Sequence, residues 1–409
     1  MRMARIGLVG INGFGRTHLN TIEKLERKYI EFKAFSEINY EKNKSEIEKL
    51  KSKGAHYYMD YREMLNSEED LDFVVLSTPI HLHSPMAIQA MEKGFNVLLE
   101  KPPSVTIQDV DRIIEVSKKT GKVCAVDFQN TSGKAFRKLL DYVAEGRFGS
   151  LKSLVGIGRW ERDESYYRRT PWAGKLMFDG NYVLDGTINN PLSHLLNNLL
   201  ILAGVSCHNG GVPAEVTAEL YHGHKIESED TACVRIITEA GIEILSYTTL
   251  CSPQGETPFI VLEGTKGSAY WAYNNELKIK FCDGSDENFD FGPEDLFENM
   301  YINMIKSLFQ NNKLYCPVEL TRNFVLASNG AFESSDSIKE IPDDYLIINK
   351  EGESVVTYIK DISDIIDRAS SEKKLFSEVG VPWALKSMPF KLNGYKEFKK
   401  YKREGGNLG

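Results

Sequence analysis

Long apolar runs are missing from this chain. No stretch reaches the roughly 20 residues that a membrane-spanning helix requires, so no membrane partner is expected. Cysteine is scarce. The six thiols (Cys124, Cys207, Cys233, Cys251, Cys282 and Cys316) are widely spaced and none falls in a C-x-x-C pair, which fits reduced thiols rather than a disulfide framework. Positive charge is not in surplus either. Lys and Arg number 50 against 58 Asp and Glu, a formal net charge of −8. That balance argues against a nucleic-acid partner, because phosphate backbones want a basic face. The first apolar strand begins within a few residues of Met1, which leaves no room for a cleavable leader, and the expected location is cytoplasmic. No internal repeat is present. What remains is an ordinary globular composition over 409 residues, with 42% hydrophobic and 26% charged, long enough for two domains.

The stretch that organises the chain runs from Ala4 to His18. Ile6 to Val9 reads as a buried strand, a glycine turn follows, and Leu19, Ile22 and Leu25 recur at helix spacing. Strand, turn and helix together form a phosphate cradle for a dinucleotide, built from Gly10, Asn12, Gly13, Phe14 and Gly15. The usual spacing is G-x-G-x-x-G, and here Asn12 holds the middle position. Asn tolerates positive φ better than most residues, so the turn can form, with a side chain where backbone would otherwise touch phosphate.

Apolar runs then alternate with helical patterns. Glu31–Phe35, Leu71–Leu76, Phe95–Leu99 and Val123–Val126 read as strands, and the helices between them make parallel crossovers and a doubly wound sheet. Ligands of such sheets bind at the carboxyl ends of the strands. Gly10, Glu37, Thr78 and Lys101 sit at such ends and should converge. Glu37 falls where the fold places an acid on the ribose hydroxyls, which favours NAD over NADP, although Lys42 and Lys44 nearby soften that preference.

After about residue 130 the grammar changes. A helix is expected near 134–145. Alternating strands follow at 218–222, 231–237, 242–248, 259–262, 268–273 and 278–281, with hairpin turns at Gly241 and Gly264 to Gly267. They read as a large, mostly antiparallel open sheet with one face exposed or covered by a partner. Helices are expected at 296–309, 320–333 and near 359–369, and a Lys-rich end is expected to fray.

Three elements in order carry a resemblance: the glycine turn, Thr78-Pro79 with His83 four residues on, and Glu100-Lys101-Pro102 after an apolar strand. Over roughly residues 4 to 340 the chain resembles the glucose–fructose oxidoreductase / inositol dehydrogenase / rhizopine-catabolism (Gfo/Idh/MocA) family. The resemblance implies an N-terminal Rossmann domain with a doubly wound parallel sheet, expected over 1–129. It implies a C-terminal α/β domain over 130–345, whose open sheet makes a homodimer or homotetramer. Residues 346–409 form an extension expected to pack back on the body. It also implies an NAD-dependent oxidoreductase acting on a sugar, polyol or glycoside hydroxyl, with Lys101 between nicotinamide ribose and substrate. A cation there lowers the barrier as the hydroxyl loses its proton. Thr78, Pro79, His83, Glu100 and Gln129 carry over as cofactor-side residues, and His83 reads equally well as a structural helix histidine.

The family's second motif, G-G-x-x-x-D-x-x-x-H, falls within the stretch Asp179 to Asn189. Asp185 is in place, but the histidine position holds Asn189, which can hydrogen-bond a hydroxyl and cannot accept a proton at neutral pH. Either Lys101 alone moves the proton or another group substitutes, His194 being nearest. Pro191 suits a first helical position with Asn190 as its cap. The aromatic, cationic stretch 159–175 reads as a substrate wall, with Trp160, Tyr167, Arg168, Trp172 and Lys175 the best candidates. Two adjacent arginines also suit an acidic or phosphorylated substrate. His222-Gly223-His224 has too few partners for a metal pair and reads as a solvent-facing loop, so no metal is expected. Two rivals remain open: a redox-neutral glycosidase that oxidises, eliminates and reduces, and a nucleotide-binding sensor without turnover.

Overall fold

The computed structural model describes residues 2–352 and 354–401, with Glu351 described by its backbone alone. These residues fall into two compact units. The division differs from the contiguous one drawn from sequence, because residues 295–322 pack with the first unit.

In the first unit β1 (Ala4–Val9), α1 (Phe14–Leu25), β2 (Ile30–Ser36), α2 (Tyr40–Ser52), β3 (His56–Tyr58), α3 (Tyr61–Ser67), β4 (Phe73–Leu76), α4 (Ile80–Glu92), β5 (Asn96–Leu99), α5 (Ile107–Thr120) and β6 (Cys124–Val126) follow one another. The six strands form one parallel sheet in the order β3-β2-β1-β4-β5-β6, so the order reverses beside β1. The short β3 has no apolar run of its own, which is why alternation alone did not mark it. The helix Leu296–Gln310 closes one side of the core. Its Tyr301, Met304 and Ile305 are buried with Ile6, Leu8, Leu19 and Ile22.

The second unit holds α6 (Lys134–Ala144), β7 (Leu151–Arg159), α7 (Glu164–Arg168), the short pair β8 (Met177–Phe178) and β9 (Asn181–Tyr182), and α8 (Ser193–Ser206). Then come β10 (Pro213–His222), β11 (Thr231–Thr238), β12 (Glu243–Thr249), β13 (Phe259–Gly264), β14 (Gly267–Ala272), β15 (Glu276–Phe281), β16 (Asp286–Asp290) and β17 (Lys339–Glu340). They form a mixed, mostly antiparallel sheet in the order β16-β15-β14-β13-β7-β12-β11-β10-β17, with residues 390–391 pairing alongside β10. β7, absent from the sequence reading, is the central strand and pairs β12 in parallel. Its Gly156 and Gly158 let α8 lie close: a Cβ at either would fall 2.8 Å from Leu199 or Leu192.

The opposite face of this sheet is covered by the chain itself. Val155, Ile157, Tyr221, Cys233, Leu245 and Tyr247 are buried under Ile362, Ile366, Phe376, Val381 and Trp383 of the extension. Ion pairs Arg235–Glu378 (2.7 Å) and Lys373–Glu263 lie around it. The expected open face is therefore closed at its apolar centre, and that centre is not available to a second copy. The hairpin β18 (Leu346–Glu351) and β19 (Ser354–Ile359) belongs to the same extension. The Lys-rich end also departs from expectation up to Tyr401, because Phe398 is fully buried against Phe332 and Tyr182. Residues 402–409, on which the rest of that expectation falls, lie outside the described residues.

Candidate active site

The glycine turn follows β1 directly. Gly10 has φ 84° and Gly13 φ 55°, while Asn12 stays out of the left-handed region. The strained position is thus one residue later than the motif suggested. A Cβ on Gly10 would lie 2.2 Å from the Ser77 carbonyl oxygen, and one on Gly15 would lie 2.2 Å from that of Gly10. These two glycines allow α1 to start tight against the strand ends. No side chain caps α1 at Gly13, which leaves helix-start N–H groups for an anion. The Asn12 amide turns away from that cradle and donates to Glu37 Oε2 (3.0 Å). Glu37, 6% exposed at the end of β2, also accepts the Asn39 N–H at Oε1 (2.9 Å). The buried Thr78 hydroxyl, at the end of β4, has no hydrogen-bond partner among the described residues. A cradle that admits no Cβ, a carboxylate at the β2 end and an orphaned hydroxyl fit a dinucleotide.

Lys101 ends β5 on the turn Glu100-Lys101-Pro102-Pro103 and is 8% exposed. Its backbone N–H donates to Glu100 Oε2 (3.0 Å), and its ammonium lies 5.7 Å from the Phe14 ring centre. His83, on the first turn of α4, is buried with Nδ1 2.7 Å from the Pro102 carbonyl and Nε2 2.8 Å from that of Thr78. Burial pushes its pKa down and the two carbonyls only partly offset that. Both ring nitrogens are thus occupied by backbone, and His83 stitches the β4 end to the lysine turn. Pro79 caps α4, and Gln129 opens a 3-10 turn after β6. Behind Lys101 lies a buried polar group that the sequence reading missed. Glu100 Oε1 is 3.0 Å from His18 Nε2, Asp127 Oδ2 is 3.6 Å from the same nitrogen, and His18 Nδ1 is 2.9 Å from the Tyr301 hydroxyl. Burial drives the Asp127 carboxyl well up, helped by the neighbouring Glu100 charge. Burial also raises Glu100, but the His18 hydrogen bond and nearby cations outweigh it and hold Glu100 low.

In the second unit the loop from 160 to 192 carries the other candidates. Asp185 is 3% exposed, directly after Leu184, whose φ of 40° is rare for a leucine. Its Oδ2 accepts from the Gly174 N–H (2.8 Å) and Arg169 Nη2 (3.1 Å), and its Oδ1 from Asn190 Nδ2 (2.6 Å). Arg169, not Arg168, is the arginine at this site. Its guanidinium lies 3.8 Å from the Tyr166 ring centre and 5.4 Å from that of Trp172. Arg168 is 65% exposed by side chain and pairs with Glu164 (3.6 Å). Asn189 is fully buried, with Oδ1 accepting from Ser328 (2.8 Å) and Nδ2 without a partner among the described residues.

The helix expected from Pro191 begins at Ser193 with Leu192 in the cap position. Asn190 is drawn to Asp185 instead of capping, which is why the start moved. His194 sits buried on the first turn of α8. Trp160 donates from Nε1 to the Glu256 carbonyl (3.2 Å), Tyr167 packs its ring on His224 (4.8 Å), and Lys175 lies 5.9 Å from the Phe178 ring.

Glu229 was not singled out from the sequence. It is fully buried beneath the Asp185 loop, accepts from the Ile188 N–H (3.0 Å) and the Ser228 hydroxyl (2.7 Å), and burial lifts its pKa to about 7. A Cβ on Gly186 would fall 2.1 Å from this carboxyl. His224 is likewise not solvent-facing. It is 3% exposed with Nδ1 2.8 Å from Asp230, and His222 Nδ1 bonds the His224 carbonyl rather than converging on a shared ligand. Burial opposes both charges of the His224–Asp230 pair, yet their mutual attraction raises the histidine and lowers the aspartate.

Comparison with known proteins gives the same frame. Residues 4–128 match the oxidoreductase family with an NAD-binding Rossmann fold, GFO_IDH_MocA. An alpha-N-acetylgalactosaminidase of Shewanella oneidensis is 29% identical over 183 residues, covering 42% of this chain and 39% of the relative. A glycosyl hydrolase family 109 protein of Shewanella sp. strain ANA-3 is 28% identical over the same shares. The chain thus spans well under half the length of the curated relatives that it matches. Among solved structures, the WlbA dehydrogenase of Bordetella pertussis with NADH and UDP-GlcNAcA aligns at TM-score 0.66 and 23% identity, over 81% of this chain and 97% of that one. A levoglucosan dehydrogenase with NADH aligns at TM-score 0.68 and 17% identity, over 81% and 96%. At these identities the likeness is one of fold. No helix among the described residues is long and apolar enough to cross a membrane.

Proposed function

We propose that this chain, whose residues 4–128 match the Gfo/Idh/MocA oxidoreductase family with its NAD-binding Rossmann fold, oxidises or reduces a hydroxyl-bearing carbon of a sugar, polyol or glycoside with NAD. The observation that carries this reading is Lys101: a buried lysine at the end of β5, anchored through its own backbone to Glu100, in the unit that holds the cradle. NAD, when bound, supplies the hydride acceptor. In the direction of oxidation the hydroxyl proton passes to Lys101 Nζ as an amine, which leaves it an ammonium; in reduction the ammonium returns it. Gly10 and Gly15 let α1 start tight against the strand ends, so that its N-terminus faces the pyrophosphate, and Glu37 holds ribose hydroxyls and disfavours a 2′-phosphate.

Asp185 has its carboxylate engaged by Arg169, Gly174 and Asn190, so its role is to hold and orient rather than to take a proton. Asn189 Nδ2 is a donor in want of an acceptor and suits a neighbouring hydroxyl. Arg169 with Tyr166 and Trp172 offers an aromatic face and a cation to a sugar ring, and suits an acidic substrate.

A second reading has its own support. The curated relatives matched by sequence are glycosidases. In that reading the hydride would be taken up, the aglycone eliminated, water added to the unsaturated ring, and the hydride returned. The purified protein with NAD is incubated with sugars, sugar acids and aryl glycosides, and both NADH and free aglycone are followed. Substrate-dependent NADH accumulation is expected. Aglycone release without net NADH selects the second reading, and neither signal with any polyol or glycoside overturns both in favour of a nucleotide-binding sensor.

A further inference from the structure

We propose that Glu100 and Asp127 form a carboxyl pair that shares one proton next to Lys101, with Asp127 a positioning residue that acts on Lys101 through Glu100. The proposal rests on the Lys101 chemistry above, but its first test does not need turnover. Asp127 is 1% exposed, and the groups on its carboxyl are few: His18 Nε2 at 3.6 Å from Oδ2, the Gln129 backbone N–H and the Glu100 carboxyl. Two buried carboxylates side by side repel one another, whereas a protonated carboxyl becomes a donor to its neighbour. The atoms of His18, Glu100 and Asp127 that could share a ligand lie within 4.8 Å of one another.

Glu100 is then the terminus of every donor around it. The Lys101 N–H reaches Oε2, and His18 lies with Nε2 3.0 Å from Oε1 and Nδ1 2.9 Å from the Tyr301 hydroxyl. The Asp127 proton completes the set. Burial of Asp127 and the Glu100 charge beside it both favour the protonated form. The groups facing the pair are His18 from α1, His83 from α4, Lys101 from the β5 turn and Tyr301 from the helix Leu296–Gln310. The consequence for Lys101 is one neighbouring anion rather than two. A second anion would raise the lysine pKa and keep it an ammonium, unable to accept the hydroxyl proton.

The test begins with the infrared spectrum of the full-length protein at neutral pH, wild type minus Asp127→Asn. A protonated-carboxyl C=O band belonging to Asp127 is expected, and its absence overturns the proposal. Metal analysis of the purified protein should find none at stoichiometry; a tightly held ion lost in Asp127→Asn would mean the three residues are ligands instead. In the oxidation assay, the rising limb of kcat/KM against pH should keep its position in Asp127→Asn, because Asn donates to Glu100 as the protonated acid does. A limb displaced to lower pH by roughly one unit would show that Asp127 was an anion. Glu100→Gln should move the limb that way, and Asp127→Leu should lower kcat about tenfold with KM for NAD kept, since a donor to Glu100 is lost. If no substrate is found, the infrared and metal results still decide the pair, and only the reading of the reaction fails.

Discussion

The lysine turn of the first unit and the Asp185 loop of the second hold their polar groups by different means. Lys101 is placed by a sheet: β5 delivers it, two prolines follow it, and Glu100 and His83 tie its turn to backbone. Asp185 is placed by side chains: Arg169, Asn190 and the Gly174 N–H surround it on a segment with little regular structure. A group held by a sheet keeps its geometry when a neighbour changes, whereas a group held by a side-chain network shares the fate of that network. Lys101→Ala is the sharpest test of the first half. If Lys101 is the group that takes the hydroxyl proton, kcat should fall roughly a thousandfold, about 4 kcal/mol of barrier, while NAD binding and thermal stability stay close to wild type. Retention of turnover would remove Lys101 from the mechanism and level the contrast.

The contrast also explains what could be read in advance. Strand-end residues of a doubly wound sheet are legible because fold and chain order dictate their position, so the placement of Gly10, Glu37, Thr78 and Lys101 at strand ends could be read from local pattern. His18 and Asp127 carried a signal that went unused: His18 precedes Leu19 on the buried side of α1, and Asp127 directly follows β6. Tyr301 had none, since its partner His18 lies 283 residues away. In the second unit the choice of Arg168 over Arg169 turned on which guanidinium a five-residue helix points at Asp185, and neighbouring residues of the same type give no such sign. Glu229 was silent for the same reason: its role depends on a loop some 40 residues earlier folding over it. The sheet face was misjudged because alternation in β11 marks two faces without saying that the extension would cover the second.

The buried carboxyl under the Asp185 loop offers the next largest effect. Glu229 is lifted from 4.5 to about 7 by burial. Between those values the native state binds more protons than the unfolded chain, so this group makes stability fall as pH rises through that window. Above it the ionised, buried form costs on the order of 3 kcal/mol. Glu229→Gln keeps an acceptor for the Ile188 N–H and cannot ionise. Its melting temperature should match wild type near pH 4.5 and exceed it near pH 8. A variant that is less stable at both would mean the charge is needed there, and the loop is held by an ion rather than by packing.

Asp185→Ala tests the side-chain network directly. It strips the acceptor from Arg169, Asn190 and Gly174 together, and the freed guanidinium stays over Tyr166. The expected loss in kcat/KM is roughly ten- to a hundredfold, mostly in KM, because a holding group binds substrate in ground and transition states alike. Asp185→Asn should recover part of it through its remaining carbonyl. A loss confined to kcat and as deep as that of Lys101→Ala would make Asp185 a proton acceptor after all.

The smallest effect separates two roles of one carboxylate. Glu37 already accepts from Asn12 and Asn39, so it braces the glycine turn whether or not a ribose is present. A carboxylate has lone pairs left for two ribose hydroxyls, and charge-assisted bonds of that kind contribute about 1.5–3 kcal/mol. Glu37→Gln keeps a bond to Asn12 and loses the charge. If Glu37 reads the ribose, the Kd for NAD should rise about tenfold, and that for NADP should fall as the repulsion of its 2′-phosphate is removed. Isothermal titration with both nucleotides measures the two shifts side by side. Equal weakening of both nucleotides would assign the residue to the turn alone, and NAD selectivity would then have to come from elsewhere on the β2 end.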